Sequence, residues 1–278
     1  MMRPYMLASF NAGGTLFGMP AFEAVMLVTL PAFWVVSFVF FALRAALVGM
    51  PQTERIGRLS ISPYLPRLVM EFGYWMFTLP IALLVRIGVT ANMVTAASVG
   101  FTVLAAIAYG GGHFAVGGWT LLLAFSCDAW DGIIARQTGT TSPAGEFLDS
   151  TVDRYNDLIG FFGFMYYYRE DPIPLALAAL AAVGSTVTSY ARAKGESVGI
   201  DPNVGYMQRH ERAVYLGAPS VFAPLVALWL EPGVAHPRYH FVICSLALLA
   251  VLTNLTAFMR TRYVLVRLRA RPPEEGKQ

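Results

Sequence analysis

The chain has 278 residues, of which 56% are hydrophobic and only 13% charged. Soluble domains carry about a quarter charged residues, so this composition excludes an ordinary soluble fold and points to the membrane. A formal net charge of +3, with no stripe of basic and aromatic residues, argues against nucleic acid as a partner.

The first long apolar run begins near Glu23. It is longer than the hydrophobic region of a cleavable signal and has no small-residue cleavage site behind it, so a membrane helix is expected. Seven segments are apolar and long enough to cross about 30 Å of hydrocarbon at about 1.5 Å per residue. They lie near residues 23–43, 92–110, 114–135, 146–168, 173–191, 213–230 and 240–259. From about Ser60 to Gly88 the chain instead mixes Arg67, Glu71 and Arg86 with aromatic and aliphatic residues. An interfacial amphipathic helix is expected there, an additional span being the alternative.

The expected fold is an all-α integral membrane protein: a six-helix transmembrane core bundle, preceded by the amphipathic helix and one extra N-terminal transmembrane helix. Residues 1–60 would form the N-terminal extension, 61–265 the membrane domain and 266–278 a basic, solvated tail. Arg136, Arg192, Lys194, Arg209, Arg212 and the tail fall on one side of the six core spans. The alternate connections are poor in Lys and Arg, so the basic side is expected to face the cytoplasm of a multi-pass cell-membrane protein. Tyr166, Tyr167 and Tyr168 suit an aromatic belt, and Cys127 and Cys244 read as inert packing thiols.

The stretch "CDAWDGIIARQTGTTSPAGEFLDSTVDR" places Asp128, Asp131, Asp149 and Asp153 beside apolar spans. Each pair stands three or four residues apart, on one helical face, and a short loop joins the two helices. Four carboxylates meeting at one mouth would repel strongly unless cations were present. Hard oxygen donors in this number suit Mg²⁺ or Mn²⁺, and two ions together serve phosphoryl chemistry. Gly132 and Gly145 leave room for a ligand close to the backbone, Ala135 keeps the same face open, and Arg136 offers a fork to phosphate oxygens. Taken singly, each feature is as well explained by capping or helix packing.

Taken jointly, Asp128-x2-Asp131-Gly132-x2-Ala135-Arg136-x8-Gly145-x3-Asp149-x3-Asp153 resembles the signature of the CDP-alcohol phosphotransferase family. The resemblance covers about residues 65 to 265 and leaves the first span outside it. It implies a phospholipid-biosynthetic transferase that moves a substituted phosphate from a CDP-linked lipid to an alcohol, releasing CMP. It also implies that Asp128, Asp131, Asp149 and Asp153 hold the metal ions, with Asp153 as general base. Gly132, Ala135, Arg136 and Gly145 would line the donor nucleotide pocket together with Asp128, Asp131 and Asp149. "TANMVT" keeps the polar residues of the family's Pro-Asn-x-x-Thr helix start, Asn92 and Thr95, with Ala91 in place of proline. Homodimers are usual in the family.

The acceptor is addressed by a second set of residues. Arg154, Arg192, Lys194, Arg209 and Arg212 would surround one pocket if their helices return to the acidic mouth. Several such cations exceed the needs of a neutral alcohol and suit a phosphate monoester. The alternative is that they face lipid headgroups as ordinary positive-inside residues. The segments Asp153-Arg154, Arg192-Ala193-Lys194 and Arg209-His210-Glu211-Arg212 resemble the subset of the family that uses inositol phosphate with a diacylglycerol or archaeal ether-lipid donor. Glycerol phosphate is the nearest rival acceptor. Asp157, one turn past Asp153, reads as a pairing residue with Arg154 as its candidate partner, the alternative being a hydrogen bond to acceptor hydroxyls. An ion-coupled transporter is the rival from another class, and it predicts carboxylates at mid-bilayer rather than at helix ends.

Overall fold

The computed structural model describes residues 15–16, 19–49, 67–234 and 236–270. A two-residue antiparallel bridge, Thr15–Leu16 with Met19–Pro20, precedes α1. The described helices are α1 (Ala21–Val48), α2 (Arg67–Arg86), α3 (Ala91–Gly110), α4 (Phe114–Thr138), α5 (Pro143–Tyr167), α6 (Pro172–Ser197), α7 (Arg209–Leu230) and α8 (His240–Arg269). The fold is therefore helical as expected, and each expected span is a helix. The start of the expected interfacial stretch, 60–66, and the tail from 271 lie outside the described residues.

Several helices outrun their expected bounds at the acidic end: α4 to Thr138, α6 to Ser197, α7 from Arg209 and α8 to Arg269. Hydropathy marks only the lipid-facing length, whereas backbone hydrogen bonding continues into the polar interface. Five helices, α1, α3, α6, α7 and α8, are long and apolar enough by themselves to cross a membrane. The 25-residue α4 and α5 carry the aspartates, which is why composition alone does not mark them.

The six core helices close into a ring in the order α3, α4, α7, α8, α6, α5 and back to α3. α3 packs along both α4 and α5, which approach each other only weakly. Small residues permit the close crossings, because helices in lipid associate through packing rather than hydrophobic exclusion. A Cβ at Gly118 of α4 would stand 2.7 Å from the Val221 nitrogen of α7, and one at Gly184 of α6 would stand 2.1 Å from Thr253 Oγ1 of α8. Outside the ring, α2 lays Phe77, Ile81 and Leu84 against Val94, Cys127 and Ile134, beside the acidic end of α3 and α4.

Caps place the acidic turns. Gly139, at φ 68°, ends α4 in the left-handed conformation. Ser142 then accepts from the Gly145 nitrogen at 3.1 Å, with Pro143 opening α5. α7 begins with a capping box between Gln208 and Glu211, so Arg209 sits at its first turn.

Toward the opposite end of the ring an aromatic cluster packs together, including Tyr109, Phe114, Phe164, Tyr168 and Tyr239. Tyr167 donates to the Pro237 carbonyl at 2.5 Å and Tyr168 to that of Arg238 at 2.8 Å. Only Tyr166 is exposed as an aromatic-belt residue should be, because its two neighbours turn inward to fasten a loop. α1 reaches this end through Glu23, which meets the His113 ring at 2.5 Å. Burial alone would lower the His113 pKa, but the hydrogen bond to Glu23 outweighs it and holds the imidazole above its ordinary value. Cys127 is buried, as a packing thiol should be, whereas Cys244 is exposed on α8.

Candidate active site

Asp128 on α4 and Asp149 and Asp153 on α5 each offer a carboxylate oxygen, and these oxygens all lie within 4.8 Å of one another. The i, i+4 spacing aligns the α5 pair, and the weak approach of α4 to α5 leaves space for the two acidic turns to converge. Asp149 Oδ1 is buried without a hydrogen-bond partner. An unsatisfied buried carboxylate oxygen is costly, by about 1–3 kcal/mol or more, unless something binds it. Three hard carboxylate oxygens gathered together, one each from Asp128, Asp149 and Asp153, suit a divalent cation.

Asp131 stands apart from that trio. It is buried and accepts the Thr95 hydroxyl at 2.6 Å, and Thr95 also bonds the Ala91 carbonyl at 3.1 Å. The same polar seam continues inward: Ser98 donates to the Thr95 carbonyl at 2.7 Å and accepts from Asn156 of α5 at 2.8 Å. α3 thus ties α4 to α5 through Thr95 and Ser98. Ser98 and Asn156 were not expected. Each follows an expected site residue, Thr95 or Asp153, by three positions and so shares its face, which is the signal the sequence offers.

Arg209 closes the carboxylates from the α7 side. Its Nη1 pairs with Asp128 Oδ2, its Nη2 lies 2.6 Å from Asp153 Oδ1, and its Nε lies 4.0 Å from Asp157 Oδ1. The guanidinium also lies over the Phe125 ring, 5.5 Å from its centroid. Arg212, almost fully buried, donates to Asp157 Oδ2 at 3.0 Å and to Ser189 Oγ at 3.1 Å. Asp157 therefore pairs with Arg212 rather than with Arg154, whose guanidinium turns back to the Ser150 carbonyl at 2.6 Å while remaining within electrostatic reach of Arg212.

The remaining expected residues divide. Gly145 faces Asn92, whose Oδ1 is 3.9 Å from the position a Cβ there would take. The Arg136 guanidinium lies over Gly132, 3.2 Å from where a Cβ would stand. Ala135 is half-buried on the next turn. Arg192 and Lys194 are exposed, Arg192 pairing with Glu196 at 2.8 Å, and no contact among the described residues joins them to the Asp157 cluster. Arg260 of α8, not singled out in the sequence, is buried and donates to the Val204 and Thr188 carbonyls, both at 3.1 Å.

A large cavity of about 1420 Å³ lies at the other end of the ring, lined by Glu23, His113, Tyr167, Glu231 and Tyr239 among others. Asp128, Asp131, Asp149 and Asp153 do not line it, so size alone does not locate the chemistry.

Residues 88–258 match the family model for CDP-alcohol phosphatidyltransferase. The chain is 31% identical over 183 residues to the phosphatidylinositol phosphate synthase of Cutibacterium acnes, covering 64% of this chain and 88% of that protein. It is 30% identical over 184 residues to the archaetidylinositol phosphate synthase of Methanothermobacter thermautotrophicus, covering 66% of this chain and 87% of that one. In fold it resembles the phosphatidylinositol phosphate synthase of Mycobacterium tuberculosis. That crystal structure with CDP-DAG bound gives a TM-score of 0.59 at 24% identity, over 71% of this chain and 96% of the other. The structure of the same enzyme with manganese and citrate gives 0.60 at 23% identity, over 72% and 92%. The chain belongs to the CDP-alcohol phosphatidyltransferase family.

Proposed function

We propose that this protein transfers a phosphatidyl-type group from a CDP-linked lipid to a hydroxyl of inositol phosphate, releasing CMP. The observation that carries the reading is the convergence of Asp128, Asp149 and Asp153 within 4.8 Å beside a buried arginine cluster. The relatives named above are synthases of inositol-phosphate lipids from both bacteria and archaea, which supports the acceptor.

The donor set fits Mg²⁺ or Mn²⁺: Asp128, Asp149 and Asp153 would hold two such ions, with Asp131 oriented beside them by Thr95. Bound ions would offset the charge of the diphosphate and of the departing CMP. The residues then have separable tasks. Asn92, Gly132, Ala135, Arg136 and Gly145 flank the nucleotide side, where the Arg136 guanidinium over Gly132 would meet a diphosphate oxygen. Arg154, Arg209 and Arg212 face the acceptor phosphate, with Arg192 and Lys194 as an exposed outer rim. Asp153 takes the proton of the attacking hydroxyl. We further propose that the acidic mouth faces the cytoplasm, on the side richer in Lys and Arg, and that the protein is a homodimer as in its family.

The test is CMP release by purified protein given Mn²⁺, CDP-diacylglycerol, and in turn inositol phosphate, inositol, glycerol phosphate or serine. Release with inositol phosphate alone is expected, and Asp128→Asn should abolish it. Release with glycerol phosphate instead would replace the acceptor while leaving the carboxylate chemistry intact.

A further inference from the structure

Arg209 spends its two terminal nitrogens on one carboxylate from each acidic helix, Asp128 of α4 and Asp153 of α5. Those two residues, with Asp149, are the group that gathers within 4.8 Å. A guanidinium lodged there partly neutralises three clustered carboxylates, as a bound cation would. Guanidinium and divalent ion therefore contend for the same oxygens, and their like charges repel at such range.

The surroundings give the displaced side chain a second position. Arg209 Nε already lies 4.0 Å from Asp157 Oδ1, and the other oxygen of Asp157 holds Arg212. A small rotation away from Asp128 and Asp153 would keep Arg209 beside Asp157 and Arg212, where a phosphate monoester would meet two guanidinium groups at once. The capping box anchors the α7 backbone at Gln208 and Glu211, so this motion belongs to the side chain.

We infer that Arg209 is a displaceable internal counter-cation that couples metal binding to binding of the acceptor phosphate. A divalent ion drives it off Asp128 and Asp153, and the acceptor phosphate captures it in the displaced position. Each ligand then favours the same arrangement, so each must strengthen the other's binding by the same factor. The inference rests on the metal and acceptor reading proposed above, and it adds an ordering that neither site has alone.

The experiment is a Mn²⁺ titration of purified full-length protein followed by electron paramagnetic resonance of the free ion, with and without inositol phosphate, corrected for Mn²⁺ bound by inositol phosphate itself. In the wild type, inositol phosphate should tighten Mn²⁺ binding by about five- to tenfold, within the usual range of coupling between two sites. Arg209→Gln should bind Mn²⁺ about tenfold more tightly than wild type and lose that coupling. Arg209→Lys, which keeps the charge but cannot bridge two carboxylates, should fall between them and serves if the glutamine variant does not fold. Equal Mn²⁺ affinity in all three proteins, weaker binding in Arg209→Gln, or coupling that survives the substitution overturns the inference while leaving the metal site standing. Failure of every protein to bind Mn²⁺ overturns both.

Discussion

Thr95 of α3 donates its hydroxyl to Asp131 of α4 at 2.6 Å, and both side chains are buried. The bond fixes one aspartate of the signature from a helix that carries none of the others. Groups that orient a metal-site carboxylate commonly govern affinity or activity by about 10–100-fold. Thr95→Val should therefore lower kcat by about that factor, whereas Thr95→Ser, which keeps the hydroxyl, should lose far less. Kinetics at saturating donor and acceptor check it. Equal losses in the two variants would show that the methyl group and its packing matter, not the hydrogen bond.

Asp157 gives the second prediction. It divides its oxygens between Arg212 at 3.0 Å and Arg209 at 4.0 Å and meets no neighbour of the nucleotide side. Asp157→Asn keeps the shape but removes the charge that holds the two guanidinium groups. A charge-assisted bond of this kind is worth about 1.5–3 kcal/mol, so the KM for inositol phosphate should rise by about 10–100-fold. The KM for CDP-diacylglycerol should change far less, since Asp157 touches Arg209 and Arg212 rather than Asn92, Gly132, Arg136 or Gly145. A parallel rise in both constants would contradict the separation of donor and acceptor sides.

Much of this architecture is legible in the sequence, and the reason is local. An apolar run long enough to span lipid has few alternatives to a helix, and carboxylates three or four apart must share a face. The presence and order of α1 and α3 to α8, and the shared faces of Asp128 with Asp131 and of Asp149 with Asp153, follow from that, whereas the extra turns of α4, α6, α7 and α8 at the acidic end do not. What a face meets is set by the order of helices around the ring, which no periodicity encodes. Hence the pairing of Asp157 with Arg212 of α7, the closure of Arg209 over Asp128, and the bond from Asn156 to Ser98 become visible only in three dimensions. Arg192 and Lys194 resemble Arg209 and Arg212 in composition, yet the first pair is solvent-facing, whereas Arg212 is buried and Arg209 half-buried against the carboxylates. A basic residue near a membrane interface satisfies lipid headgroups and a ligand pocket equally well on paper.

The far end of the ring supplies a dependence on pH. His113 precedes α4 and takes its raised pKa from the Glu23 hydrogen bond, with burial opposing and the Glu23 charge assisting. A group whose folded pKa exceeds its unfolded value, here about 6.5, stabilises fully below that unfolded value and stops doing so as pH rises through the folded one. The attachment of α1 should thus be firmest in mild acid. Thermal unfolding of wild type and His113→Gln across pH 5 to 9 checks it: the Tm difference should be largest at the acid end and shrink toward alkaline pH. A constant difference would mean that the contact is steric rather than ionic.

The central claim is that the acidic turns of α4 and α5 jointly hold the divalent ions. Anomalous scattering from a crystal grown with Mn²⁺ tests it most directly. The account predicts peaks within about 2.0–2.2 Å of carboxylate oxygens from Asp128, Asp149 and Asp153, with the Arg209 guanidinium moved off Asp128. Peaks elsewhere, or an Asp128–Arg209 pair unchanged in saturating Mn²⁺ with no peak beside it, would contradict it.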